Sequence, residues 1–471
     1  MLNDLDFEIL NISLSYPFLF LIGVGIVLLC CSAFYKLHRN FFVGISALSL
    51  IVSFFLILYN INVQGSKGAF LGTLNNDILS FAFSSLILLF SFLYLLMEKE
   101  ENQGEFYALF LFMIASLMLM VSSSNLVLIF IGLEGSSLAL YTLIAIRGTQ
   151  NSISAAIKYF SIAAVGSGFF ALACALIYIK TGSLSLDEII SLQDSNDDIL
   201  LSCAGVLIFV LCAIKLSLAP FHFWLRDVYY AAYPNLVAFI SVVPKIAMFV
   251  VVIRIFMFLE PKTNGFEYII MVLTIFSMLV GALASLTQKD VKKMFAYSSV
   301  VHSSFVLANI IPLLDHQVWI FNYQAFFIFW YWGLFWYWGL FAFSNYGVFL
   351  ILSTYKNTHC ESLKGLLLKK PLIAISLSVC VLSLAGIPPF GVFWGKLIVL
   401  NSVMIANYWY LALFIALSSV IMLYGYLKVI IYALFVKGEG ETYTRLDFRQ
   451  NFILTLCVCV SIFAVLLVMF L

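Results

Sequence analysis

KLSLAPFHFW at 215–224 and LSLAGIPPFGVFWGK at 382–396 are two versions of one phrase. Leu216-Ser217-Leu218-Ala219 returns 166 residues later as Leu382-Ser383-Leu384-Ala385, and each copy runs on through proline and aromatics to a tryptophan, Trp224 or Trp394. Both surroundings are apolar, yet both copies carry helix breakers. Pro220 has no N–H for the carbonyl of Leu216, and Pro388 and Pro389 likewise free the carbonyls of Leu384 and Ala385. A free carbonyl in hydrocarbon is costly, so such breaks survive as kinks packed against neighbours or where they line a buried polar cavity. The recurrence of the motif favours the cavity.

Outward from these two points, the chain of 471 residues is 64% hydrophobic and only 10% charged. So few charges cannot cover a soluble protein of this size. Apolar stretches long enough to cross a bilayer recur throughout. Fourteen are expected, at 17–35, 41–60, 77–97, 105–122, 123–146, 152–180, 198–225, 236–259, 267–287, 293–313, 317–353, 371–404, 408–435 and 450–470. The fold class is therefore all-α, a polytopic membrane protein of about 14 helices with the seventh and twelfth broken. The offset between the two phrases spans five helices, an odd number, so the copies run through the membrane in opposite directions. That is the mark of inverted repeats, here 105–259 (helices 4–8) and 260–435 (helices 9–13). Residues 1–104 supply three leading helices, and 436–471 a loop and the fourteenth. A second duplication, FWYWGL at 329–334 and 335–340, shifts its aromatics by roughly 240° around a helix, which reads as lipid-facing bulk or interface anchors.

With alternating spans, fifteen Lys and Arg residues gather on one side, among them Lys36, Arg39, Lys289, Lys292, Lys293, Lys356, Lys364, Lys369 and Lys370. Only Lys67, Lys180 and Lys262 fall on the other. Positive-inside bias makes the first side the cytoplasm or matrix and turns both termini outward. The opening MLNDLDFEIL carries Asp4, Asp6 and Glu8 where a leader would be basic, so no targeting segment is set aside. A net charge of +1 gives no case for nucleic acid. The nine cysteines show no CxxC spacing and read as small apolar filler rather than a metal or Fe–S site. Neither a dinucleotide-binding glycine fingerprint nor a P-loop occurs, so redox and nucleotide chemistry is expected on other chains.

Six basic residues remain inside spans: Lys158, Lys215, Lys245, Arg254, Lys396 and Lys428. Among acids only Glu134 sits deep, 11 residues into its span, roughly 17 Å along the helix. Each central charge is unfavourable by roughly 2.5–3.5 kcal/mol on insertion scales. Arg254 and Lys428 are near span ends, where snorkelling accounts for them. Lys158 either snorkels or joins a buried chain. One carboxylate cannot neutralise Lys215, Lys245 and Lys396 together. At least two of these lysines must find water, carbonyls or a lowered pKa, and a lysine poised in that way can gain and lose a proton. Glu134, Lys215, Lys245 and Lys396 are thus candidate relay residues, against the alternative of a static ion pair. His222 and His302 are each read as relay or structural histidines. His38, His316 and His359, near span ends, are read as loop residues.

At these residues the chain resembles the antiporter-like membrane subunits of respiratory complex I. The resemblance is carried in order by GLEGSSLALYTL at 132–143, AAIKYF at 155–160, KLSLAPFHFWLRDVY at 215–229, TQKDVKKMFAYSSVVHSSF at 287–305 and SLAGIPPFGVFWGK at 383–396. Within that family it is most similar to the N-type branch, through lysine at 245, lysine at 396 and an end soon after the fourteenth span. Arg226 stands where the family commonly has proline. The resemblance implies a key glutamate in the fifth span and lysines in the seventh, eighth and twelfth, matched by Glu134, Lys215, Lys245 and Lys396. It further implies no cofactor on this chain, with NADH, flavin, Fe–S clusters and quinone on or near partner subunits. The implied setting is a hetero-oligomer with other complex I membrane subunits, a neighbouring antiporter-like subunit among them, surrounded by membrane lipid.

The expectation is a proton-translocating subunit of NADH:quinone oxidoreductase, in a bacterial inner membrane or, as the alternative, a mitochondrial one. Two rivals stand: a subunit of a multisubunit cation/proton antiporter, and a non-conducting membrane scaffold. The topology is open to direct test. With the native cysteines replaced by serine, Lys364→Cys should resist a membrane-impermeant thiol reagent applied from outside the cell and react once the membrane is opened. Ready labelling of intact cells would reverse the orientation.

Overall fold

A computed structural model describes residues 11–35, 37–64, 68–100, 103–191, 199–258, 266–314, 323–438 and 444–468. Lys36, Lys67, Lys262, His316 and the acidic N-terminal residues lie outside them. The long helices are α1 (Tyr16–Phe34), α2 (Arg39–Gln64), α3 (Ile78–Met97), α4 (Gly104–Ser122), α5 (Leu126–Ala145), α6 (Gln150–Thr181) and α7 (Ile199–Leu216). There follow α8 (Phe223–Ala231), α9 (Pro234–Phe258), α10 (Phe266–Leu286), α11 (Val291–Ile310), α12 (Tyr323–Leu352), α13 (Pro371–Ala385), α14 (Gly391–Ile405), α15 (Trp409–Leu434) and α16 (Phe448–Val468). Isolated backbone bridges are the only sheet-like pairing among the described residues.

Twelve of these helices are long and apolar enough to cross a membrane. The expected twelfth span is the broken pair α13–α14, each half too short alone. The tenth expected span, α11, is long enough but more polar than those twelve. Its Ser298, His302, Ser303, Ser304 and Asn309 are all buried, so protein rather than lipid surrounds it. The break after the fifth helix's predecessor is short but real: Ser123 is extended, and the Asn125 side chain caps α5 by accepting from the Val127 N–H.

Both expected helix breaks occur. In the first, α7 stops at Leu216, Ser217 takes a φ of 61°, and α8 restarts at Phe223. The seventh segment therefore extends beyond the expected 225, to Ala231. In the second, α13 ends on Gly386 at φ 75°, a left-handed turn that suits glycine, and α14 starts at Gly391.

Packing divides the chain into two compact units, Met1–Lys215 with Val243–Asn264, and Leu216–Val242 with Gly265–Leu471. In the first, α4 packs on α1 and α5. A Cβ on Gly132 would come within 2.7 Å of the Ser116 carbonyl oxygen, so that glycine lets α5 lie close against α4. In the second unit, α10 packs on α11 and α15, and α12 on α13, α14 and α16.

Two sequence expectations need correcting. Arg254 does not snorkel. It is buried, and its guanidinium bonds the Asp77 carboxylate at 2.8 Å, the Ser80 hydroxyl at 2.7 Å and the Val121 carbonyl at 2.9 Å. Partial burial pushes the Asp77 carboxyl up, but the Arg254 charge and the Ser80 hydrogen bonds outweigh this and leave it below the usual carboxylate range. The second FWYWGL copy does not face lipid as a whole, since Tyr337 and Trp338 are fully buried. The side chains of 329–332 lie outside the described residues.

The arginine clamp joins the start of α3, the end of α4 and the last turns of α9. Arg254→Gln should destabilise the solubilised protein by about 2 kcal/mol, the size of a lost charge-assisted hydrogen bond whose acid still reaches solvent. Thermal unfolding by tryptophan fluorescence measures this, with Arg254→Lys expected between the two.

Candidate functional site

In the first unit the site is built on one stripe of α5. Glu134, Ser137 and Tyr141 are three and four residues apart and so share a helix face. Lys215, in the last turn of α7, points its ammonium at that stripe. It donates to the Ser137 hydroxyl at 2.7 Å and to the Tyr141 hydroxyl at 3.4 Å. It also lies 5.6 Å from the centre of the Tyr159 ring and 5.8 Å from that of Tyr141. The Ser137 hydroxyl donates a hydrogen bond to the Leu133 carbonyl at 2.6 Å, which leaves its oxygen able to accept from Lys215. Glu134 is half-buried and accepts a short hydrogen bond from Ser167 of α6. No direct ion pair joins Glu134 to Lys215, so the lysine's immediate partners are neutral hydroxyls.

A cavity of about 30 Å³ adjoins Lys215, lined by Ser136, Ser137, Tyr159, Pro244 and Met248 among others. It has room for about two waters, with polar groups to hold them. Pro244 and Met248 flank Lys245 on α9, and Lys245 is itself buried. Pro244 interrupts the hydrogen-bond ladder one residue before this lysine. Lys158, by contrast, is exposed on α6 and is not gathered into this buried group.

In the second unit the site follows α11. His302 is clamped between two tyrosines: its Nδ1 is 2.7 Å from the Tyr337 hydroxyl, and its Nε2 is 3.0 Å from the Tyr426 hydroxyl. Tyr426 makes a short hydrogen bond to Ser298, one turn before His302. Lys396 of α14 donates to the Ala385 carbonyl at 2.9 Å and lies 5.3 Å from the centre of the Phe305 ring. That carbonyl is one of those the Pro388-Pro389 break sets free. Gly386 makes room for the amine, for a Cβ there would come within 2.9 Å of Lys396 Nζ. His222 caps α8, buried, with no hydrogen bond to its Nδ1 among the described residues.

Several contributors escaped the sequence reading, Tyr426, Ser298 and Ser167 among them, and four others show why. Ser137 and Tyr141 lay in the quoted GLEGSSLALYTL, where helical spacing from Glu134 would have found them. Tyr337 was hidden inside the aromatic duplication. Lys292, counted among loop cations, is buried in the first turn of α11 and donates to the carbonyls of Tyr230 at 2.6 Å and Ala232 at 3.0 Å, at the end of α8. Among the described residues, no three His, Cys, Asp or Glu side chains come together as metal ligands.

Residues 123–422 match the sequence family described as NADH:quinone oxidoreductase/Mrp antiporter, transmembrane. The chain is 68% identical over its whole length, and over the whole of its relative, to NADH-quinone oxidoreductase subunit N of Campylobacter jejuni (strain RM1221). It is 49% identical over 99% of its length, and all of the relative's, to subunit N of Campylobacter lari. In structure it is similar to a chain of Thermus thermophilus respiratory complex I with bound aureothin, at a TM-score of 0.80 and 25% identity, covering 96% of this chain and 98% of that one. The Mrp complex of Dietzia sp. DQ12-45-1b contains the same fold, at a TM-score of 0.76 and 19% identity over 93% of this chain and 82% of that one. The chain belongs to the antiporter-like membrane subunits of the NADH:quinone oxidoreductase/Mrp family, in the branch of subunit N.

Proposed function

We propose that this chain is a proton-translocating membrane subunit of an NADH:quinone oxidoreductase, with Glu134, Lys215, Lys245 and Lys396 as its relay. One observation carries the reading: Lys215 and Lys396 are held by neutral oxygens, a serine hydroxyl and a freed backbone carbonyl, not by carboxylates. A buried ammonium paired to a carboxylate would strand a buried anion on losing its proton. One held by a hydroxyl or carbonyl can release it without that penalty, and lysine is suited to such release. This favours a relay over a static ion pair.

In this reading protons enter from the lysine-rich, cytoplasmic side and load the Glu134–Lys215 region. They pass by Lys245 and hydrated side chains, with His302, His222 and Lys158 as secondary candidates, and leave by Lys396 to the outside. The 30 Å³ cavity beside Lys215 supports a water-assisted first step. The drive is electrostatic and comes from neighbouring membrane subunits, an antiporter-like one among them, as quinone is reduced elsewhere. NADH, flavin, Fe–S clusters and quinone belong to or near those partners. The setting is a bacterial inner membrane with both termini outside. A cation/proton antiporter complex shares the fold, but the relatives at 68% and 49% identity carry the oxidoreductase name. Co-purification with NADH-oxidising subunits separates the two.

Lys396 gives the sharpest test. Arginine keeps the charge but holds its proton near neutral pH, and alanine loses both. Lys396→Arg and Lys396→Ala should both lower NADH-driven proton uptake by inverted vesicles several-fold, per complex assembled on a native gel. An arginine variant that pumps normally would exclude proton release from Lys396 as an obligatory step. Gly386→Ala adds a Cβ within 2.8 Å of Lys396 Cδ at a residue of φ 75°, and should displace the amine from the Ala385 carbonyl. The same assay should find Gly386→Ala impaired while Lys396 itself is unchanged.

A further inference from the structure

On the lysine-rich face of the second unit, a cavity of about 590 Å³ opens at the end of α15, a volume typical of ligand sites. Lys289, His359, Ser362, Lys428 and Tyr432 line it, with one acid, Glu361. The acid already has a partner, for Lys364 Nζ lies 3.7 Å from its carboxylate. Lys289 and Lys428 thus leave the cavity basic. Its walls are fixed by backbone hydrogen bonds. The Cys360 N–H donates to the Lys289 carbonyl at 3.1 Å, the Val291 N–H to that of Thr358 at 2.8 Å, and the Gly365 N–H to that of Val436 at 2.9 Å. Lys428 is steadied at the rim by the Gln288 carbonyl at 2.9 Å. The proton relay uses none of these groups.

The cavity is continuous in sequence with an apolar track. On α15, Leu413, Leu417, Val420, Tyr424, Leu427 and Ile431 recur at helical spacing, and all are exposed. A basic pocket at the head of a lipid-facing stripe has two chemistries in one place. We propose that this cavity binds the phosphate headgroup of an anionic phospholipid whose acyl chains lie along the exposed stripe of α15. A soluble phosphate compound would satisfy Lys289 and Lys428 but would leave the stripe unused. Basic pockets of this kind between membrane helices suit anionic headgroups.

The test uses the assembled complex in nanodiscs of phosphatidylcholine, doped with phosphatidylglycerol carrying a diazirine in its acyl chain. Illumination should place adducts on residues 413–432. Excess unlabelled phosphatidylglycerol should compete, and inorganic phosphate should not. Lys289→Gln with Lys428→Gln should lower labelling about thirtyfold, as expected for two surface cations, and Lys289→Arg with Lys428→Arg should retain it. Equal labelling of the glutamine variant, or equal labelling by a diazirine phosphatidylcholine, would overturn the proposal. Competition by inorganic phosphate would assign the cavity to a soluble phosphate compound instead. Loss in the arginine variant too, in an assembled complex, would trace the effect to side-chain shape and overturn the role of charge. Labelling requires no turnover, so its outcome is independent of whether Lys396 moves protons.

Discussion

A peptide carbonyl in the interior of a membrane must find a hydrogen-bond donor, and much of this molecule is arranged around the places where helices fail to supply one. Pro388 and Pro389 remove the N–H groups that Leu384 and Ala385 would have used. The donor that reaches Ala385 is the side chain of Lys396, brought back from α14 across the break. One structural need thereby accounts for two unusual features, a broken helix and a buried lysine. Each makes the other tolerable: the amine satisfies the carbonyl, and the carbonyl solvates the amine.

The same exchange recurs in other forms. Lys292 is buried at the start of α11 and satisfies carbonyls at the end of α8, a position where a cation also complements the helix dipole. Arg254 uses its fork to gather a carboxylate and a hydroxyl from the start of α3 and a carbonyl from the end of α4. Arg254, which meets a carboxylate directly, is also the one of these cations that cannot deprotonate. Arg254 is suited to holding the fold, whereas Lys215 and Lys396 are bound by a serine hydroxyl and a backbone carbonyl.

Much of this was legible in the chain. Apolar length and the paired prolines were enough to expect the two breaks, because the lack of an N–H on proline is a local property. Counting along helices was enough to place Glu134, Lys215 and Lys245 well inside their spans, and the proline break pointed to Lys396 just after it. What stayed hidden depends on partners distant in sequence. Arg254 was read as snorkelling because Asp77 lies 177 residues away, at a helix cap no periodicity connects to it. Ser137 was not foreseen as the partner of Lys215, since the depth of a charge in its span does not specify which side chain makes the contact. Tyr337 was assigned to lipid because aromatic composition is the same for a helix facing lipid and one facing a histidine.

The clamp around His302 has a property that depends on no movement of heavy atoms. A neutral imidazole donates from one nitrogen and accepts at the other, while a tyrosine hydroxyl can do either. Held by Tyr337 at one nitrogen and Tyr426 at the other, the ring has two tautomers that fit the same frame. Exchanging them reverses the sense of each hydrogen bond it makes and, with it, the orientation of the hydroxyl shared by Tyr426 and Ser298. The row from Ser298 to Tyr337 therefore behaves as a line of dipoles with two opposite polarisations in one fixed scaffold. A change in field along α11 can be stored there as direction alone, without displacing the helix.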